Sequence, residues 1–137
     1  MTDLTYPEVG ATRYEPLPAG YRHLHHRLLL GRGVLDQAGA AVLTFAMHRA
    51  TGARVYTAAD RAAPGVQLRV GVGPGPLSVP CEVVWTIDEP RRAGFGYGTR
   101  PGHQARGEEA FIVEQDDQGD VWFRVTAFSV PARLPMR

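Results

Sequence analysis

Apolar and polar residues alternate along most of this chain, the pattern expected of strands that bury one face in a sheet. One such strand stands near the start, and six more follow Gly52, separated by turns rich in glycine, proline and aspartate. The pattern therefore predicts an antiparallel meander. Its strands cover residues 21–30, 54–57, 66–72, 79–88, 94–99, 108–115 and 121–130.

One helix is predicted between the first two strands. From Val34 to Arg49, apolar residues recur every three or four positions, which gives a helix an apolar stripe. Strand, helix and meander together predict an α+β fold, a curved antiparallel sheet of about seven strands wrapped on one main helix. The 137 residues fit one domain: an extended segment over 1–20, a core over 21–131 and a tail over 132–137.

The predicted apolar strand faces are larger than one helix can cover. A monomer seldom exposes so much apolar surface, so a second copy of the chain is the expected cover, since two-fold dimers are the commonest oligomers. The alternative is that residues 1–20 fold back across the sheet. The residues concerned are Val79, Val83, Trp85 and Ile87 on one face, and Val121, Phe123 and Val125 on another.

Composition narrows the function classes. The formal charge is +1, from 15 basic and 14 acidic residues, which argues against a nucleic-acid binder. Cys81 is the single cysteine, so no intramolecular disulfide forms, and a reducing compartment such as the cytoplasm is expected. The first twenty residues do not have the pattern of a signal peptide, and no apolar stretch approaches the ~20 residues of a membrane span.

A glycine-rich strand is the most unusual segment. Between Gly94 and Thr99, three glycines line one face, a pattern that permits sharp coiling or the close approach of another backbone or a ligand. Phe95, Tyr97 and Thr99 share the other face.

The loop and strand that follow supply candidate chemistry. Tyr97, His103 and Glu109 offer a hydroxyl, an imidazole and a carboxylate, which are able to bind a polar ligand head or move protons. Glu109 and Phe111 share a strand face, and Glu108 lies opposite. The competing interpretation is a long hairpin whose charges are solvated.

Weaker candidates lie elsewhere. His23 and His25 share a strand face, but two histidines do not make a zinc site, and no metal or cofactor is predicted. Backbone amides at Gly31, Arg32 and Gly33 precede a helix and are able to hold an anion, but the signal is weak and a simple strand-to-helix turn is the preferred interpretation. Nothing near Cys81 would lower its thiol pKa, which favours an inert core residue.

Short, specific motifs run along the whole chain, and the strongest of them lie in its second half. They are YPEVGAT at 6–12, GYRH at 20–23, LGRG at 30–33, MHR at 47–49, CEVVW at 81–85, GFGYGT at 94–99, PGH at 101–103, GEEAF at 107–111 and TAFS at 126–129. Through these motifs the chain resembles uncharacterised protein family 0548, a bacterial and plant family, from about Tyr6 to Pro131.

The resemblance implies a common fold and no established activity. The order of elements is that of helix-grip proteins, the lipid-transfer and polyketide-cyclase type, whose last helix closes a ligand cavity. Pro131 and Pro135 preclude that helix here, so the closing C-terminal helix is expected to be missing. Arg100 stands where an apolar residue is expected before Pro101.

Three functions are ranked on this basis. The first is a binding module that holds a small apolar or amphipathic molecule on the concave sheet, and its polar mouth is formed by Tyr97, His103 and Glu109. The second is an enzyme that uses the same three groups as acid and base. The third is an interaction module that pairs through its uncovered sheet. The predicted ligand-binding residues are Trp85, Phe95, Tyr97, Thr99, His103 and Glu109.

Overall fold

The computed structural model describes residues 3–132, which form seven strands, two α-helices and one 3-10 turn (Ala11–Arg13). The elements in chain order are β1 (Arg22–Arg32), α1 (Leu35–Leu43), α2 (Ala46–Ala50), β2 (Arg54–Tyr56), β3 (Gln67–Gly71), β4 (Val79–Glu89), β5 (Arg92–Thr99), β6 (Ala105–Gln115) and β7 (Asp120–Pro131).

All seven strands join one antiparallel sheet in the order β1-β7-β6-β5-β4-β3-β2. The helices pack against its concave face, where Val42 and Phe45 are fully buried above Phe95 and Val113. The predicted α+β fold with a curved seven-stranded sheet is confirmed. The expected loss of a closing C-terminal helix concerns the chain's end, and residues 133–137 lie outside the described residues.

The helix predicted over Val34–Arg49 is two shorter helices. Phe45 interrupts it with a left-handed backbone, φ 65°, and no glycine or proline marks the break. This conformation is costly for a bulky residue, so the surroundings must stabilise it. The phenyl ring is fully buried 5.4 Å from the Phe95 ring, and we attribute the break to this packing.

A bulge in β4 divides the apolar face predicted for Val79 through Ile87. The pairing register between β4 and β5 shifts between Val83 and Trp85. Val83 therefore joins the concave core, whereas Trp85 and Ile87 pack with Ala110 and Ile112 on the convex side. The strict alternation predicted for this strand was wrong at that point.

The N-terminal segment folds back over the convex face. Tyr6 and Leu17 are buried against Phe128, with the rings of Tyr6 and Phe128 5.8 Å apart. Residues of the N-terminal segment thus cover part of one sheet face, which is the alternative to a dimer that the sequence analysis gave. The homodimer stays a prediction.

Candidate functional site

A groove remains on the concave side, where the helices do not reach. It consists of two recesses, of about 400 Å³ and about 450 Å³, which share Cys81, Tyr97, His103 and Glu109 in their walls. Neither lining includes a residue of α1 or α2. The first recess continues along β1 and β7 past Leu24 and Ala127, and the second extends toward the β3–β4 hairpin.

Tyr97 and Glu109 face each other across β5 and β6 in the pairing register. Burial raises the pKa of the Tyr97 hydroxyl well above its usual value, and the neighbouring Glu109 adds to the shift. Burial also raises the pKa of the Glu109 carboxyl. Within residues 3–132, neither side chain has a hydrogen-bond partner. Two polar groups in the groove wall therefore lack a partner among the described residues.

His103 completes the polar set from the β5–β6 loop. Its Nδ1 accepts a hydrogen bond from the Ala105 N–H at 2.9 Å, so a neutral ring carries its proton on Nε2. Burial lowers the pKa of the His103 imidazole, which favours that neutral form. The three residues predicted to form a polar mouth thus line the same groove.

Two other predicted ligand-binding residues lie elsewhere. Phe95 is fully buried beneath the helices against Phe45 and His48. Trp85 lies on the convex face because of the β4 bulge, and its Nε1 donates to Thr12 Oγ1 at 2.9 Å. Neither residue lines the groove. Thr99 does line the groove, where its Oγ1 accepts a hydrogen bond from the Gly107 N–H.

The convex face holds a buried carboxylate that the sequence analysis did not single out. Glu108 is 3% exposed. It accepts hydrogen bonds from the Tyr6 hydroxyl at 2.6 Å, the Gly10 N–H at 2.7 Å, the Thr12 N–H at 2.9 Å and the Thr12 hydroxyl. Glu108 thus fixes the N-terminal segment on the sheet. Gly98 admits the Tyr6 ring, which an added Cβ would overlap.

His48 was also missed, although it belongs to the MHR motif. It lies in α2 and is buried, and its ring contacts those of Phe95, Tyr97 and Phe111. Its Nε2 has no partner within the described part of the chain. Burial, with the nearby Arg49 charge, lowers the pKa of His48 to about 4. The ring is therefore neutral at physiological pH.

The weaker candidates from the sequence, the anion site, the two histidines and the cysteine, form ordinary structural contacts or are buried. Arg32, from the predicted anion site, ends β1 and pairs with Asp120 at 3.4 Å. His23 and His25 contact Pro18 and Glu15. Residues 3–132 contain no cluster of three or more potential metal ligands. Burial raises the pKa of the Cys81 thiol to about 12.

A family model described as Domain of unknown function (DUF1990) matches residues 5–137. The chain belongs to the DUF1990 family.

Two relatives extend this assignment to the family predicted from the sequence motifs. This DUF1990 chain is 60% identical over 53 residues to a UPF0548 protein of Deinococcus radiodurans, covering 39% of the chain and 26% of the relative. It is 43% identical over 65 residues to UPF0548 protein At2g17695 of Arabidopsis thaliana, covering 42% and 31%. The matches span less than a third of either relative's length. The resemblance to family 0548 is confirmed.

Solved structures show the fold. Hypothetical protein jhp0584 from Helicobacter pylori is similar at a TM-score of 0.67 with 10% identity, covering 96% of this chain and 80% of that one. Ara h 8.0201 is similar at a TM-score of 0.55 with 13% identity, covering 86% and 83%. The DUF1990 chain therefore has a Bet v1-like helix-grip fold. No helix within residues 3–132 is long and apolar enough to cross a membrane.

Proposed function

We propose that the concave groove binds a small, largely apolar molecule that carries one neutral polar group. The observation that carries this proposal is the pair formed by the Tyr97 hydroxyl and the Glu109 carboxyl, which face the groove without a hydrogen-bond partner in residues 3–132. Buried polar groups are normally paired, so a ligand that supplies the missing partner is favoured there. The helix-grip fold, which is the type of lipid-transfer proteins, supports the same function.

The surroundings indicate the ligand's polarity. Leu24, Cys81 and Ala127 supply apolar walls, which suit a hydrocarbon or aromatic body. His103 Nε2–H is a donor, Tyr97 both donates and accepts, and Glu109 with its raised pKa gains a donor proton more readily than an ordinary glutamate. A hydroxyl or carbonyl group matches this set better than a carboxylate or phosphate does.

Native mass spectrometry of the gently purified protein tests the proposal directly, because a bound small molecule adds its mass. A second test follows displacement of the neutral dye N-phenyl-1-naphthylamine. Ala127→Trp fills the groove and should weaken dye binding at least ~10-fold, since a buried ring excludes the ligand. Ala63→Trp, on an exposed loop, is the matched control and should bind as the unaltered protein does.

The polar groups are tested with a matched ligand pair, 2-naphthol and 2-methylnaphthalene. The hydroxyl compound should displace the dye at a concentration ~2–10-fold lower than the methyl compound, as one neutral hydrogen bond allows. Tyr97→Phe combined with Glu109→Gln should reduce that preference. Equal displacement by both compounds from the unaltered protein, or unchanged dye binding by Ala127→Trp, would contradict the proposal.

An acid–base enzyme is the second candidate. Burial lowers the pKa of His103, which favours a neutral imidazole that can accept a proton, and raises the pKa of Glu109, which favours a carboxyl that can donate one. A molecule recovered from the native protein should then be converted on prolonged incubation, and Glu109→Gln should stop the conversion without releasing the molecule. If the mass of the recovered molecule is unchanged after incubation, ligand binding is the only one of the two functions that is supported.

A further inference from the structure

The hairpin between β3 and β4 carries the two most exposed large apolar side chains of the described residues. Val72 is 78% exposed and Leu77 is 75% exposed. Only a Gly-Pro-Gly-Pro turn separates them, over residues 73–76. Both side chains therefore project together from the tip of a narrow hairpin.

Two arginines hold this hairpin in place. Arg54 donates to the Gly73 carbonyl at 2.5 Å and to the Leu77 carbonyl at 3.0 Å. Arg69 donates to the Ser78 hydroxyl at 2.9 Å and to the Ser78 carbonyl at 2.7 Å. These acceptors are neutral, and no carboxylate among residues 3–132 forms a salt bridge with either arginine. The apolar tip therefore adjoins two arginines that form no salt bridge with the described residues.

Charge is distributed unequally along the sheet. At the opposite end, three arginines pair with aspartates: Arg32 with Asp120, Arg61 with Asp88, and Arg91 with Asp117. At the hairpin end, Arg22 begins β1, Arg54 begins β2 and Arg69 lies within β3, and none of these three forms a salt bridge within residues 3–132. Arg100, which follows β5, lies 4.0 Å from Asp3 and 3.9 Å from Glu82.

The hairpin also forms part of the groove. Val72 and Leu77 line the recess that reaches Tyr97, His103 and Glu109. An apolar surface in contact with the tip would therefore adjoin the entrance to the candidate ligand site.

We propose that this hairpin docks the protein on an anionic lipid bilayer, from which the groove takes up its apolar ligand. Basic residues around a few exposed apolar side chains match the negative surface and apolar interior of such a bilayer. A specific protein interface normally buries ~800 Å² per partner, which is more than a two-residue tip supplies. The docking step stands on the structure of the hairpin, and the ligand uptake rests on the proposed function.

Flotation with ligand-free vesicles tests the docking step. The protein should float with vesicles that contain phosphatidylglycerol and partition at least ~10-fold less to pure phosphatidylcholine, and ~0.5 M salt should release it. The double substitution Val72→Ser and Leu77→Ser should lower partitioning to anionic vesicles at least ~10-fold through lost apolar burial. Arg69→Gln should also weaken it.

The matched control is Leu28→Ser with Leu29→Ser, two side chains on β1 that are also more than half exposed, at 54% and 51%. This variant should float like the unaltered protein, and circular dichroism should show that both double variants are folded. No flotation of the unaltered protein, or equal loss in both double variants, would overturn the docking proposal. A dimer mass that disappears only in the hairpin variant would assign the tip to a second copy instead. Binding of N-phenyl-1-naphthylamine measured without vesicles tests the proposed function by itself. A protein that binds the dye but does not float contradicts docking and leaves the proposed function standing.

Discussion

Replacing Glu108 by glutamine tests how the N-terminal segment is held on the sheet. The carboxylate accepts two hydrogen bonds at each oxygen: Tyr6 and Gly10 at Oε1, and the amide and hydroxyl of Thr12 at Oε2. Glutamine keeps the shape but replaces one acceptor oxygen with an NH₂ donor. Whichever side the NH₂ occupies, one backbone N–H then faces another donor in a buried site.

The expected cost follows from these contacts. A hydrogen bond to a charged group contributes about 1.5–3 kcal/mol. The bond from one backbone N–H is lost outright, the hydroxyl on the same side must turn to accept from the NH₂, and the other two donors meet a neutral acceptor in place of a charged one. The site is 3% exposed, so water does not readily replace the lost acceptor. After local relaxation we expect Glu108→Gln to lower the free energy of unfolding by about 3–5 kcal/mol, similar to breaking a buried ion pair. The Gly10 and Thr12 amides should also exchange faster.

Glu109→Gln is the matched control, because it makes the same chemical change one residue along the same strand. Glu109 faces the groove without a partner in residues 3–132, so we expect its substitution to alter stability by less than about 1 kcal/mol. Urea unfolding measures both variants, and amide hydrogen exchange reports on the N-terminal segment. Equal destabilisation of the two variants, or unchanged exchange at Gly10 and Thr12, would refute the assigned role of Glu108.

Four further predictions follow from the fold. Gly96→Val should lower the free energy of unfolding by about 2 kcal/mol, because its side chain would overlap the Trp85 indole and Thr12; an unchanged thermal midpoint would contradict this. His48 has a pKa of about 4 in the fold, against about 6.5 when unfolded, so protons favour the unfolded chain. Stability should therefore fall by about 3 kcal/mol between pH 6.5 and 4, and His48→Phe should abolish that part of the pH dependence in urea titrations. Cys81 should resist iodoacetamide until the protein unfolds, because its thiol is buried with a pKa of about 12; rapid labelling of native protein would show otherwise. Light scattering at micromolar concentration should give a dimer mass if the exposed apolar residues of β1 pair with a second copy, and a monomer mass would reject the dimer.

Strand positions were predictable because burial of one sheet face imposes a period of two on the residues. The same rule placed Glu109 and Phe111 on one face of β6 and Glu108 on the other, as the structure has them. Alternation also brought Tyr97 to the groove. Strand positions and strand faces depend on residues close together in the chain, so they can be predicted from the local sequence.

Three other features depend on contacts between distant positions. The bulge after Val83 leaves the alternating pattern unbroken in sequence, yet it moves Trp85 to the convex face. Phe45 breaks the helix without a local breaker, because tertiary packing outweighs helix propensity. The Tyr6–Glu108 hydrogen bond joins residues 102 positions apart, and no periodicity encodes it. The glycine face of β5 was the sequence feature that could have revealed this contact. A strand face without side chains leaves space for another segment to pack closely against it.

The alternation of β5 and β6 also explains how one sheet stabilises the fold and still leaves a groove. On the convex face, Gly96 and Gly98 leave space for Trp85 and Tyr6, and Glu108 anchors the segment that covers them. These polar groups are paired, so this face gains stability and gives up access to ligands. On the concave face, His48 of α2 contacts the Tyr97 ring, but no residue of α1 or α2 lines the groove. The polar groups of Tyr97 and its cross-strand partner stay without partners among the described residues. Adjacent glutamates on one strand are thereby separated by the pleat into opposite environments. A substitution at Glu108 should therefore act on folding, and one at its neighbour on binding.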